Sequence, residues 1–270
     1  KKIYKIKNRP KNNPLICHFK DIASIKENFF FSEVEYKLAK KFWPGPLTLI
    51  LKKKKSSKIK SILSNNEDYV GCRIPKNSIA KELLNNIDFP IAAPSANIYT
   101  KLSSTKIEHL SNEFKNQIFV LDDGETSYGL ESTVVKISND TFQILRLGSI
   151  TFKEIKKIIP YHEIQDINSY NLSPGQQKVH YKTNTPLRIN VNSVLNGESL
   201  LKFGKNKLTS KILEMNLSPS GNLKEAAKNF YNFLHILDNS QCTGIAVCPI
   251  PNKDLGKTIN DRLIRASSTI

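Results

Sequence analysis

Acidic residues are in short supply in this chain of 270 residues: 24 Asp and Glu stand against 41 Lys and Arg, a formal net charge of +17. Cysteine is scarce too. Cys17, Cys72, Cys242 and Cys248 are scattered in apolar surroundings, and no pair has metal-ligand or redox spacing. They read as reduced core thiols of a cytoplasmic protein. No apolar run approaches the length of a membrane-spanning helix, so no membrane partner is expected. The opening KKIYKIKNRPKNNP is basic but has no apolar stretch and does not read as a cleavable signal. It has no initiating Met and reads as the middle of a helix, so the first residue is not expected to be the natural start of the domain. G-x-G-x-x-G and phosphate-loop patterns are absent, so neither a dinucleotide fold nor Walker-type nucleotide binding has support. Carboxylates in the candidate loops are few, Asp122, Asp123 and Glu131 among them, which speaks against a metal cage. No acid at a suggestive spacing accompanies His18 or His180, which speaks against a hydrolase triad.

What is present suits a packed protein. Hydrophobic residues make up 39% and charged residues 24%, enough for two modest domains and against global disorder. The excess of base follows a composition rich in Lys, Asn and Ile, and the lysines are spread along the chain. Only LKKKKSSKIK (51–60) is a cluster, and it reads as a solvated loop. A phosphate-rich ligand is compatible with this charge.

Strands are expected at 14–19, 47–51, 71–75, 89–93, 118–121, 132–137 and 142–147. Helices are expected at 33–42, 78–86 with Ser78 as N-cap, near 105–114, and at 152–159 behind a Thr151/Glu154 capping box. Trp43-Pro44-Gly45-Pro46 stops the first of these helices and reads as a rigid turn. Residues 161–185 are polar and rich in turn formers. Beyond them PLRINV, LKEAAKNFYNFLHIL (223–237), TGIAVC and LGKTINDRLIRA (255–266) read as an alternating β-α-β-α tail, hence a small parallel-sheet domain.

Polar groups gather at strand ends in four places. These are KNRPKNNPLICH with Lys7, Arg9, Asn13 and His18; GCRIP with Arg73; PSANIYTKLSS with Ser95, Asn97 and Ser103; and YGLESTVV…ILRLG with Ser132, Thr133 and Arg146. Arginine forks, a lysine and hydroxyls suit a ligand bearing several phosphate or carboxylate groups. Each motif taken singly is as well explained by a turn, a surface ion pair or a core histidine.

Together the motifs resemble the Sua5/YrdC family, the threonylcarbamoyl-AMP synthases, in the longer Sua5 form. The matching stretches are KNRPKNNPLICH, FWPGPLTLIL, VGCRIP, PIAAPSAN, LDDGETSYGLESTVV, ILRLGSIT, SPGQQKVHYKTNTPLRI, LSPSGNLKEAAKNFYNFLHILD and GKTINDRLIRAS. They run in order through nearly the whole chain. The resemblance implies a YrdC-like twisted mixed α/β sheet with helices over 1–160, a linker or lid over 161–185, and a Rossmann-like parallel Sua5-type domain over 186–270. It implies that L-threonine, bicarbonate and ATP, with Mg²⁺ on the nucleotide and no tightly bound cofactor, give threonylcarbamoyl-AMP and pyrophosphate. The product would pass to a tRNA-modifying threonylcarbamoyl transferase complex, and a weak tRNA or RNA contact is expected beside it.

By matching positions, Lys7 and Arg9 would act in catalysis on carboxylate and phosphate groups. Arg9, Asn13, Ser95, Ser103, Arg146 and Tyr181 would contact ATP, Tyr181 as a lid. His18, Arg73, the Ala93 backbone and Ser132 would contact threonine. The family's K-G-R-P is Lys7-Asn8-Arg9-Pro10 here, a mild change if that position needs a positive φ. The family's P-T-[DE]-T-x-Y-G-L segment is not found in the 270 residues, which predicts an exposed sheet edge, poor stability and weak activity for this chain. The rival readings are an RNA-binding YrdC-like module, a carbamoyl-transfer module and an inactive fragment.

Overall fold

The computed structural model describes residues 2–60, 63, 68–139, 141–164 and 180–267. In chain order the elements are α1 (Lys2–Ile6), β1 (Ile16–His18), α2 (Ile22–Asn28), α3 (Glu33–Phe42), β2 (Leu47–Lys52), β3 (Tyr69–Arg73), α4 (Ser78–Asn85) and β4 (Ile91–Ala92). There follow α5 (Asn112–Lys115), β5 (Thr133–Ser138), β6 (Thr141–Arg146), α6 (Phe152–Ile158), β7 (Glu163–Ile164) and β8 (Leu187–Arg188). The last are β9 (Glu198–Lys202), β10 (Glu214–Asn216), α7 (Leu223–Asp238), β11 (Gly244–Val247) and α8 (Leu255–Ser267).

Two compact units alternate along the sequence. Among the described residues, the first takes 2–5, 9–94 and 131–164, and the second takes 6–8, 95–130 and 180–267. The sequence reading divides the chain linearly instead, at 160 and 185. Residues 95–130 supply none of the named strands, and their Leu102 and Leu130 belong to the apolar core built by α7, α8, β9 and β11. Most of the expected linker, 165–179, lies outside the described residues.

The first unit is a mixed sheet in the order β4-β1-β3-β2-β5-β6-β7. β1 with β3, β2 with β5 and β6 with β7 run parallel, and the other neighbours run antiparallel. β2 is central, and its Leu47, Leu49 and Leu51 are fully buried. That explains why its sequence is a continuous apolar run rather than an alternation. α3 opens on a Ser32/Glu35 capping box and buries Leu38 and Ala39. It ends where the Trp43 N–H donates to the Ala39 carbonyl and Pro44 blocks a further turn. α6 opens on the expected Thr151/Glu154 box.

Three local expectations are corrected. The N-cap of α4 is Asn77, whose side chain accepts from the Ala80 N–H, and not Ser78. The helix expected near 105–114 is a 3-10 turn at Ile107–His109 followed by the short α5. Residues 118–121 form no strand: no other strand among the described residues pairs with them, and Phe119 is fully exposed. An apolar, β-prone stretch without a ladder partner gains too little to become a strand.

The second unit carries a four-stranded sheet in the order β10-β9-β11-β8, parallel throughout. α7 starts at Asn222, whose side chain accepts from the N–H groups of Lys224 and Glu225. Of the face its periodicity predicts, Ala226, Ala227, Phe230, Leu234 and Leu237 are buried and Leu223 and Phe233 only partly so; Tyr231 and Asn232 are buried as well. No helix among the described residues is long and apolar enough to cross a membrane. All four cysteines are free.

Candidate functional site

In the first unit the sheet register assembles one end of the sheet. Parallel pairing of β1 with β3 sets His18 opposite Arg73. β2 starts at the end where β3 finishes, and β5 starts beside it, with Leu47 opposite Thr133. β6 ends there with Arg146 opposite Val134. His18, Arg73, Thr48, Ser132 and Arg146 therefore come from five strands or strand ends along one rim, although they span most of this unit in sequence.

The Trp43-Pro44-Gly45-Pro46 turn is the hub of this rim. Arg73 Nε donates to the Gly45 carbonyl at 2.9 Å, and the Gly45 N–H donates to the Ile74 carbonyl at 2.9 Å. A Cβ on Gly45 would lie 2.2 Å from the Phe42 carbonyl oxygen, so only glycine fits. Trp43 Nε1 donates to the Leu47 carbonyl at 2.7 Å and fixes the exit of the turn. The Pro46 carbonyl accepts the Thr133 N–H at 2.9 Å. Thr133 Oγ1 donates to the Ile150 carbonyl at 2.6 Å and accepts the Ile150 N–H at 2.9 Å. One turn thus sets the Arg73 guanidinium and, through Thr133, the neighbouring Ser132.

Arg146 Nη2 donates to the Ser132 carbonyl at 2.8 Å and to Ser132 Oγ at 2.9 Å, and Arg146 Nε donates to the same carbonyl at 3.1 Å. Ser132 Oγ also lies 2.8 Å from Thr48 Oγ1. Arg146 and Ser132 therefore act as one piece.

His18 is different. Its Nδ1 is the one buried side-chain polar atom among the described residues that has no hydrogen-bond partner. Burial, and then the charge of Arg73, push its pKa down to about 3, so the ring is neutral. A neutral imidazole with an unfilled, buried nitrogen is costly unless a ligand or water completes it.

Arg9 and Asn13 lie before β1, towards the other end of that strand. Arg9 Nη2 donates to Asn13 Oδ1 at 2.6 Å and to the Pro14 carbonyl at 2.7 Å. The Ala93 N–H donates to the Ile16 carbonyl at 3.1 Å.

In the second unit Lys7, Ser95 and Asn97 form a closed set. Lys7 Nζ donates to the Ser95 carbonyl at 2.6 Å, to Asn97 Oδ1 at 3.3 Å and to the Asn97 carbonyl. Ser95 Oγ donates to Asn97 Oδ1 at 2.6 Å, and Asn97 Nδ2 donates to the Lys101 carbonyl at 2.7 Å. Lys7 and Asn97 are both buried. Asn8 has φ +50°, a left-handed conformation that Asn tolerates better than other non-glycine residues.

Ser103 is buried, and its carbonyl accepts from His235 Nε2 on α7 at 3.1 Å. His235 stacks on His109 with ring centres 3.9 Å apart. Burial, and then the neighbouring His235, lower the His109 pKa to about 4. Tyr181 has φ +62° and a fully buried ring in the core of this unit.

The Sua5/YciO/YrdC family model, described as telomere recombination, matches residues 1–148. The model of the threonylcarbamoyl-AMP synthase C-terminal domain matches residues 150–268. The threonylcarbamoyl-AMP synthase of Bacillus subtilis is 32% identical over 99% of this chain and 83% of its own length. The chain belongs to the threonylcarbamoyl-AMP synthase family. The enzyme of that name from Pyrococcus abyssi is 31% identical over 99% of this chain and 84% of its own length. The crystal structure of P. abyssi Sua5 complexed with L-threonine is similar with a TM-score of 0.86, at 28% identity, over 98% of this chain and 83% of that one.

Within this family frame, the structure joins His18 to Arg73, Ser132 to Arg146, Arg9 to Asn13, and Lys7 to Ser95. Ser103 and Tyr181 are held by other neighbours. Sequence reasoning missed the Gly45 carbonyl and Thr48 as the parts that orient Arg73 and Ser132; it named Asn97, but not as the partner of Lys7. Gly45 had a readable signal in its Trp-Pro-Gly-Pro setting; Thr48 looked like any strand residue.

Proposed function

We propose that this chain is a threonylcarbamoyl-AMP synthase acting on L-threonine, bicarbonate and ATP in the cytoplasm. The threonine amine adds to bicarbonate with loss of water and gives a carbamate. A carbamate oxygen forms a bond to the α-phosphorus, and the bond from that phosphorus to the β-phosphate oxygen breaks. Pyrophosphate leaves with the electron pair. The carbamate is short-lived, so the protein acts by holding reactants together and keeping water out.

The observation that carries this reading is the rim of the first unit. Arg73 is held by a backbone carbonyl and stands beside a neutral histidine with an unfilled ring nitrogen. That pairing suits an amino acid: the guanidinium takes a carboxylate, and the imidazole takes a hydroxyl or an amine hydrogen. In this reading Ser132 and the Ala93 carbonyl complete the threonine contacts. Arg146, Arg9 and Asn13 bind nucleotide oxygens, and Lys7 and Arg9 offset charge on the reacting carboxylate and phosphates. Ser95, Ser103 and Tyr181 are assigned to ATP as well. The Mg²⁺ of this reaction would ride on the nucleotide phosphates. The adenylate would be consumed by a tRNA-modifying transferase complex.

The test is pyrophosphate release from ATP with threonine and bicarbonate omitted in turn. Release must depend on both, and turnover indifferent to threonine sinks the reading. Arg146→Ala should raise the apparent KM for ATP or abolish turnover.

A further inference from the structure

Residues 180–182 are strapped down within the second unit by contacts the reaction does not explain. Tyr181 N–H donates to His180 Nδ1 at 2.9 Å, and Lys182 N–H donates to the Thr100 carbonyl at 2.8 Å. His180 N–H donates to the Arg265 carbonyl on α8 at 3.4 Å. The His180 ring meets Tyr99 edge-on at 5.9 Å and Tyr181 at 4.1 Å. Over the Tyr181 ring lies the Arg262 guanidinium, its central carbon 4.7 Å from the ring centre.

Arg262 is itself fully buried. It is paired with Asp261, whose other carboxylate oxygen accepts from Arg265 Nε at 3.0 Å. A buried guanidinium needs a reason, because leaving water costs more than a surface pair returns. Filling the same space with an apolar side chain would serve packing alone. A planar cation on a tyrosine face fixes where that ring lies and how it is turned, which an aliphatic side chain does not. The left-handed φ of Tyr181, unfavourable for a bulky residue, is kept only because its surroundings determine it from several sides.

The geometry points to Arg262 as a positioning residue of the nucleotide site, acting through Tyr181. The guanidinium, set by Asp261 and Arg265, holds the His180–Tyr181 strap against α8 and so decides the placement of the one aromatic residue assigned to ATP. The C-terminal helix then tunes nucleotide affinity without touching the nucleotide. This rests on the reading that Tyr181 serves ATP.

The test compares the full chain with Arg262→Lys, which keeps the charge and loses the planar face, and with Tyr181→Ala. Amide hydrogen exchange and ATP binding by calorimetry are measured on each. In Arg262→Lys the Tyr181 and Lys182 amides should exchange roughly tenfold faster and ATP should bind roughly fivefold more weakly. Amides in the middle of α7 and the threonine affinity should stay as in the parent. If Arg262→Lys does not fold, Asp261→Asn carries the same expectation. Unchanged strap exchange overturns the proposal. So does faster strap exchange with parental ATP affinity, provided Tyr181→Ala binds ATP more weakly. Parental ATP affinity in Tyr181→Ala instead overturns the assignment of Tyr181 beneath it.

Discussion

In the first unit, Arg73 donates to Gly45 and Arg146 to Ser132, while His18 keeps a buried nitrogen unfilled. In the second unit, Lys7, Ser95 and Asn97 bond to one another. The first arrangement is a rim with its side chains already aimed. The second is a set of side chains whose bonds a ligand would have to replace. A ligand meeting the first gains contacts at little cost of rearrangement; a ligand meeting the second must trade bond for bond. The difference teaches that charge and residue type do not distinguish the two regions. What distinguishes them is who supplies the hydrogen-bond partners.

The sharpest way to break this comparison is Arg73→Ala. Loss of an aimed cation should lower turnover by about 100-fold or more with the melting temperature little changed. A large fall in stability with normal turnover would make Arg73 a structural residue.

A smaller effect is expected at the hub. Thr133→Val removes a buried hydroxyl that both donates to and accepts from Ile150. It should destabilise by about 2 kcal/mol in urea unfolding, and the apparent KM for threonine should rise because Ser132 is no longer fixed. If the KM stays put, the hub does not position Ser132.

Asn97→Ala should cost about 1–3 kcal/mol, since it strips a buried partner from Lys7 and Ser95. Stability unchanged in this variant would mean that the closed set of the second unit is not a set at all.

The gentlest test is pH. His18 and His109 stay neutral in the fold down to about 3 and about 4, whereas in the unfolded chain each takes a proton below an ordinary value of 6.5. The unfolded state therefore binds more protons in that window. Stability should be full above about 6.5 and fall as pH drops, by at most about 1.4 kcal/mol per pH unit for each ring. The effect is smaller for the partly solvated His109. His18→Gln should flatten the fall measured between pH 7 and pH 5; an unchanged slope would show that His18 is not held neutral.

Much of the fold was legible. α3 announces itself by helical spacing and the Trp43-Pro44 stop, the start of α6 by its Thr151/Glu154 box, β2 by its apolar run, and α7 by its periodicity. Boundaries moved where one residue decided them, as when Asn77 rather than Ser78 capped α4. Residues 118–121 misled because strand propensity is redeemed only by a partner. The candidate site was legible as a collection of residue types but not as pairs. Arg73 finds Gly45 across 28 positions, Ser132 finds Thr48 across 84, and Lys7 finds Ser95 across 88. No local pattern carries such information.

By itself the sequence settled the family, the capped start of α6, the central buried strand and the parallel character of the second sheet. All of these depend on spacing within a few residues or on motifs in order. Only the tertiary structure decided that residues 95–130 pack with the second core, that a turn of Trp, Pro and Gly aims Arg73, and that His18 is left with an unfilled nitrogen. Those outcomes depend on which backbone carbonyls arrive from distant strands, and burial sets the energy of each only after the chain has folded.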